Sequence, residues 1–403
     1  MALNNITILR QNGGVPATLP GEDHYSGLLV YLAASDMPVA DSGVTGFATT
    51  NRIIQISTIE YAESLGIKSK KEKPTDPEIP WILKALHYHL SEAFRINPAI
   101  MIWVGLFDKP TGNYDFSEIK VMQNYAEGKI RQIGIYAPEN LLTANDLTAI
   151  QGTATNLEAN DMPLSALYCP KIGVLTGLAS LATIGQRNVS VLIGMDGDGV
   201  ARELFATGGG KCVGIIGNAL GMLSKMAVHE SIAWVAKCPT GISVPAFAEG
   251  TLVKNIDIGV VNTLNDKRFI FLRTYGGLQG SFYNDSHTMD EPTSDYNAIE
   301  RVRTMDKACR GVRTYLLPHL SSPLYVDPKS GKLKEETVAF LTAVANRQLE
   351  AMEKAGELSG YVVEIDPNQN ILVSSEVEFV IKNVPVGVMR KMKIKIGYTT
   401  KLG

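Results

Sequence analysis

Alternation of apolar and charged positions is cleanest near the end of the chain. In residues 376–382, Val377, Phe379 and Ile381 alternate with Glu376, Glu378, Val380 and Lys382. In residues 391–398, Met392, Ile394, Ile396 and Tyr398 alternate with Lys391, Lys393, Lys395 and Gly397. A period of two marks a strand with one buried and one wet face. Asn383-Val384-Pro385-Val386-Gly387 reads as a breaker between two such strands. The second strand has almost no chain after it to hold it, so it is expected to need something to pair with. Its lysine face either discourages unwanted edge pairing or places charge beside a partner.

Earlier in the chain, from about 25 to 244, the pattern is α/β. Nearly all-apolar strands are predicted at 27–32, 100–104, 132–136, 164–167 and 189–193. Helices are predicted at 57–65, 80–94, 115–128, 144–160, 201–206 and 217–228, with a short one at 177–181. Continuous apolar strands separated by helices imply a mainly parallel sheet covered on both faces. Periodicity weakens over 240–266, where a domain boundary is expected. A strand at 267–273 and a polar loop at 284–292 follow. A helix at 296–317 sets Ile299, Val302, Met305, Ala308, Val312 and Leu316 on one stripe, with Arg301, Arg303, Lys307, Arg310 and Arg313 mainly elsewhere. A helix at 334–355 buries Val338, Leu341, Ala345, Leu349 and Met352 and exposes Glu335, Glu336, Glu350 and Glu353. A strand at 361–365 leads into the terminal pair.

At the other end, Ile6 and Ile8 flank Thr7 in a strand-like piece, followed by Gly13, Gly14, Pro16, Pro20 and Gly21. Such residues favour an extended linker. The expected organisation is an N-terminal arm at 1–22, an α/β domain at 23–250, a C-terminal α+β domain at 251–385 and a second arm at 386–403.

Composition adds mainly exclusions. The 403 residues are 45% hydrophobic and 20% charged, with a net charge of −3, so no global basic field points to nucleic acid. No apolar run is long enough to span a bilayer, and the first residues lack the features of a signal peptide. Cys169, Cys212, Cys238 and Cys309 show no C-x-x-C spacing and read as free thiols in a reducing compartment, the cytoplasm. Gly194-Met195-Asp196-Gly197-Asp198-Gly199 offers two carboxylates to a hard cation, but lacks the other ligands of a calcium loop and reads as a turn. Gly208-Gly209-Gly210-Lys211-Cys212 lacks the first glycine and the final Ser/Thr of a phosphate loop and reads as a hinge. His87 and His89, two apart on a helix, cannot easily share a metal. Cys212 with His229 and Glu230 could be drawn as a nucleophile and base, but reads as ordinary packing. Trp81, Trp103 and Trp234 are expected in the core. No catalytic, cofactor-binding or metal-binding residue is singled out.

The C-terminal half resembles the contractile tail sheath proteins of bacteriophages and phage-like injection particles. The resemblance lies in an ordered series over roughly 265–403. The basic helix at 295–318 and the helix at 334–355 lead into Gly356-Glu357-Leu358-Ser359-Gly360-Tyr361 and Ile365-Asp366-Pro367-Asn368-Gln369-Asn370. The strand pair split by Pro385-Val386-Gly387 then closes on Ile394-Lys395-Ile396-Gly397-Tyr398. The resemblance implies hexameric rings stacked around an inner tube, with baseplate and tail terminator proteins as further partners and no nucleotide or other cofactor. It implies that Ile6, Ile8, Lys391, Met392, Lys393, Ile394, Lys395, Ile396 and Tyr398 add strands to neighbouring subunits. It also implies that a charged helix face grips the tube, either Arg301, Arg310 and Arg313 or Glu335, Glu336, Glu350 and Glu353. Two alternatives stay open: an enzyme using Asp196 and Asp198 on the α/β domain, and a terminator or other module that stops at a single ring.

Overall fold

The computed structural model describes residues 22–182, 185–328 and 330–398, so Ile6 and Ile8 lie outside the described residues. The α/β layer is built on β1 (Tyr25–Leu32), buried from Ser26 onward. With β2 (Ile53–Ile56), β3 (Met101–Asp108), β4 (Gln132–Leu141), β5 (Ser165–Lys171) and β6 (Val189–Val191) it forms a six-stranded sheet in the order β2-β3-β1-β4-β5-β6. All neighbours pair in parallel except β2, an edge strand unforeseen in the sequence, which runs antiparallel to β3.

Helices α1 (Ile59–Ser64), α2 (Trp81–Ile96), α3 (Glu118–Tyr125), α4 (Ala144–Ala159), α5 (Gly199–Thr207) and α6 (Ile216–Lys225) cover the sheet. Local chemistry sets several starts. Thr58 Oγ1 accepts the Tyr61 N–H at 3.2 Å to cap α1, and Thr143 with Asp146 forms a capping box on α4. Glycines let helices approach the strands. A Cβ on Gly134 would lie 2.8 Å from Ile216 and Leu220 of α6, and one on Gly105 would lie 2.7 Å from Met122 of α3. Gly134 pairs with Leu28 and Gly105 with Leu29. Successive strand residues face opposite ways, so α6 and α3 lie on opposite faces of the sheet.

The apolar core continues past the expected boundary at 250. Ile270 bridges Leu192 in parallel, the Ile193 N–H donates to its carbonyl at 2.8 Å, and its own N–H donates to Val191 at 2.9 Å. Phe269, Phe271, Tyr283 and Met289 join the same buried cluster as β1, as does Ile299. This region also holds the antiparallel pair β7 (Gly194–Asp196) and β8 (Pro245–Phe247), α7 (Ile258–Asp266), and the short pair β9 (Leu272–Arg273) and β10 (Phe282–Tyr283).

Several expectations need correction here. The strand read at 267–273 is regular only at β9. Helix α7, capped by Asp257, was not foreseen. The helix read at 177–181 is replaced by a tight turn at Leu175–Gly177. Trp234, expected in the core, is 50% exposed, whereas Trp103 is buried. Periodicity fails over 240–266 because side chains do the holding there: Thr240 Oγ1 donates to the Ser281 carbonyl at 2.8 Å in the interior.

A second layer follows. Helices α8 (Ile299–Leu316) and α9 (Glu335–Lys354) run antiparallel, with His319 against Phe340 at one end and Gly311 against Gln348 further along. On them packs an antiparallel ribbon of β11 (Leu358–Glu364) and β12 (Val380–Pro385), through Ala308, Leu349, Met352 and Leu358. The one-turn α10 (Ile371–Ser374) lies between the two strands. Strand β12 starts later than the sequence pattern suggested and runs through Asn383, Val384 and Pro385, read as a breaker. Pro385 is tolerated because it is the last residue of a strand with an open edge.

Helices α2 and α6 meet most closely at Gly217. A Cβ there would lie 2.0 Å from the His89 carbonyl oxygen, a backbone atom that cannot swing away. Alanine in a helix normally gains over glycine. Gly217→Ala is nevertheless expected to lose about 1–3 kcal/mol, read as a lower urea midpoint. An unchanged midpoint would mean that the two helices separate freely.

Candidate assembly surface

The ribbon of β11 and β12 has no third strand among the described residues, so both outer edges are open. An isolated two-stranded ribbon is marginal in water. This one is fixed by its inward residues Tyr361, Val363 and Ile381 against α8 and α9. Its outward face carries Val362, Val380 and Val384, all substantially exposed. The chain then leaves as an extended segment, 386–398. Within it Lys391, Met392, Lys393, Ile394, Lys395, Ile396 and Tyr398 form no strand in the single chain. Met392 is 71% exposed and Ile396 is 92% exposed. Apolar side chains held in water at alternate positions, beside open strand edges, mark an interaction surface. Leu320, Tyr325 and Phe340 are also exposed, in and beside the connection between α8 and α9.

The two charged helix faces read from the sequence are placed very differently. On α9, Glu335, Glu336, Glu350 and Glu353 are exposed, with Lys354 pairing Glu350 at 2.5 Å. On α8, Arg303, Lys307, Arg310 and Arg313 turn towards the α/β layer. Arg310 reaches Asp23 at 3.4 Å and Arg313 reaches Asp161 at 2.8 Å, while Arg301 donates to the Asp295 carbonyl at 3.5 Å. Arg303 is 3% exposed, and Lys307 bridges Asp23 at 2.7 Å and Glu357 at 2.6 Å. From Arg303 to Arg310 the polar flank of α8 is therefore a largely buried ionic seam, while the Arg313 and Asp161 pair stays half exposed. Burial draws Arg310 down to about 10, with Arg131 adding to the effect. For Asp23, burial pushes the carboxyl up, but Lys307, Arg303 and Arg310 together hold it below its usual range.

Sequence reading missed the acidic half of this seam: Asp23, Asp285, Glu300 and Asp306. The available signal was Glu300 and Asp306 set among Arg303, Lys307 and Arg310 at spacings of three and four, a pattern that neutralises itself in a seam. It also missed Arg390. Its Nε donates to Asp285 Oδ1 at 2.8 Å and its Nη2 to Glu300 Oε1 at 2.5 Å.

The residues that looked enzyme-like take up structural contacts. Asp198 caps α5 by accepting the Gly199 N–H at 2.8 Å, and Asp196 accepts the Asp198 N–H at 3.1 Å. Burial raises Asp196 to about 6. Gly208, Gly209 and Gly210 end α5. His87 meets Glu63 at 2.8 Å, whereas His89 is buried against Tyr136 and held neutral, at about 3. Cys212 lies 3.9 Å from Cys169 in the core. Among the described residues no cluster is placed to hold a metal, and no helix is long and apolar enough to cross a membrane.

Asp306 gives the seam a pH dependence. Burial raises its carboxyl to about 7, against the pull of Arg310 and Arg187 and with Glu158 adding to the rise. The folded chain thus keeps a proton that the unfolded chain releases near 3.8. Stability from this group is full below about 4 and declines as pH rises to about 7. Asp306→Asn removes that decline. Its melting temperature, relative to wild type, is expected to rise by several degrees across this window. Parallel curves for the two proteins would contradict the assignment.

The architecture has counterparts. The fold matches a chain in a cryo-EM structure of the anti-feeding prophage baseplate with a TM-score of 0.62, at 14% identity, over 99% of this chain and 100% of that one. It also matches a chain of the PVC sheath complex of an extracellular contractile injection system, in its contracted state. There the TM-score is 0.60 at 11% identity, over 98% and 99% of the two chains. At such identities the likeness is one of fold. No curated protein matches the sequence. A family model for the DUF2586 N-terminal domain covers residues 39–287 and one for the DUF2586 C-terminal domain covers 295–403, dividing the chain just before α8. The chain belongs to the DUF2586 family.

Proposed function

We propose that this chain is a structural subunit of a contractile injection particle, polymerising as stacked hexameric rings around an inner tube and contracting to drive that tube through a target envelope. The observation that carries the reading is a fold shared over nearly the whole chain with components of two such particles. The surface supports it independently. The exposed segment 391–398 has strand alternation and no strand partner among the described residues, and the ribbon of β11 and β12 offers open edges. Strand addition from one copy to the next satisfies both. Ile6 and Ile8 are assigned the same role at the other terminus. A head-to-tail contact of this kind that does not close on itself builds an open helical stack. Extended connections then let subunits slide without parting, as contraction requires.

Glu335, Glu336, Glu350 and Glu353 are the better tube-facing candidates, because their face of α9 is open. Arg310 and Arg313 are engaged by Asp23 and Asp161. The other partners in this reading are the tube, baseplate and terminator proteins, with assembly in the cytoplasm of a host bacterium. No cofactor is needed if the energy is stored during assembly. A second reading, a single ring at the baseplate end, is favoured by the match to a baseplate structure.

Negative-stain electron microscopy of the purified chain, with and without residues 391–403, tests the proposal. Full-length protein is expected to form striated hollow tubes, alone or with a co-expressed tube protein. The truncated protein should melt within a few degrees of wild type and form none. Single rings would favour the second reading. Tubes from the truncated chain would contradict strand exchange through this segment.

A further inference from the structure

At each end of the described chain a charged residue grips the same helix. We propose that α8 is a strut joining the roots of the two arms, with Arg390 tying the C-terminal root to its first turn and Asp23 tying the N-terminal root to its middle. The C-terminal clamp is a socket of buried acids. Arg390 Nε reaches both oxygens of Asp285, at 2.8 and 3.1 Å, while Nη2 reaches Glu300 Oε1 at 2.5 Å and Ser286 Oγ at 3.3 Å. Ser286 Oγ donates to the other oxygen of Glu300 at 2.6 Å. The Glu300 side chain is 3% exposed and that of Asp285 is 14% exposed, while Arg390 keeps 32% of its side chain exposed, so the guanidinium closes over the two acids from the surface. Among bonds between described residues, Arg390 supplies the only hydrogen bonds made by 386–398. The chain is pinned there and departs immediately beyond.

The N-terminal clamp has the opposite polarity. Asp23 presents an acid, and α8 answers with Lys307 at 2.7 Å and Arg310 at 3.4 Å, while Arg303 donates to the Asp23 carbonyl at 3.4 Å. Lys307 also holds Glu357, the residue before β11, so the strand-accepting ribbon is tied to the same point. At 1.5 Å per residue, Glu300 and Lys307 stand roughly 10 Å apart along the helix. A pull on either arm therefore enters one continuous helix through ionic clamps. Helix α8 lies between the apolar core, which takes Ile299, and the second layer, which takes Ala308. The clamps are properties of the single chain. Their use in passing load between neighbours rests on the strand-exchange reading above.

Limited proteolysis of the folded, unassembled chain tests the clamps without requiring assembly. Lys-C cutting after Lys391, next to the pin, is expected to be slow relative to cutting after Lys395, which serves as the internal control. Arg390→Ala should speed the Lys391 cut at least fivefold and leave the Lys395 cut unchanged. Glu300→Gln, altered on the helix side, should do the same. Glu-C cutting after Glu22 should accelerate at least fivefold in Asp23→Asn and in Lys307→Met, and not in Arg390→Ala. Equal Lys391 rates in wild type and Arg390→Ala, with circular dichroism showing both folded, would overturn the C-terminal clamp. An Arg390→Ala effect that Glu300→Gln fails to reproduce would overturn the assignment to α8. A chain that passes these tests but never forms tubes or rings would refute the assembly reading and leave the strut standing.

Discussion

Helix α8 is charged on a flank that the fold nevertheless largely buries, and the satisfaction of those charges constrains everything around it. Removing one partner from a buried ion pair leaves an uncompensated charge and costs about 3–5 kcal/mol. Glu300 is 3% exposed and needs Arg390 in a fixed place, and the equally buried Arg303 donates to the Asp23 carbonyl. That requirement explains why Asp23, at the very start of the described chain, sits against the middle of a helix 280 residues later. It explains equally why Arg390, beyond the last strand, folds back to the first turn of α8. Ile299 anchors the start of α8 in the main apolar core, and the ionic seam ties the rest of the helix to the α/β layer.

Among the described residues, four surface features of the C-terminal layer are open to a partner. These are the open edges of the β11 and β12 ribbon, the alternating segment 391–398, the exposed Leu320, Tyr325 and Phe340, and the acidic face of α9. The lysines at 391, 393 and 395 reconcile exposure with solubility, since a lysine-bearing strand resists indiscriminate edge pairing. The proposed strand exchange calls for this combination. Under the same proposal, the clamps at Asp23 and Arg390 let the arms engage without loosening the domain.

Much of this was legible in the sequence, for physical reasons that differ by region. The parallel sheet could be read because its strands are buried on both faces and so run nearly continuously apolar, as in Leu28-Leu29-Val30. Helix α9 was equally legible, its apolar stripe separating cleanly from its glutamates. Helix α8 is located correctly by its pattern, but the pattern leaves its arginine stripe open as a tube-facing candidate. Pattern alone cannot say whether a charge meets water or an opposite charge from far along the chain. The region after 240 was opaque because short segments there are tied by hydroxyl and amide side chains, as at Thr240 and Ser281, and such ties leave no period. Strand β12 was displaced in the reading because Pro385 looked like a breaker, when it is the last residue of an edge strand.

The measurement that bears most directly on the central claim is a cryo-EM reconstruction of the assembled full-length protein, at a resolution that traces backbone. The account requires density for 391–398 of one copy running as an added strand along an edge of the β11 and β12 ribbon in another, with Arg390 still seated on Glu300. A reconstruction in which copies touch only through α9 or the connection between α8 and α9, with 391–398 unpaired, would contradict it.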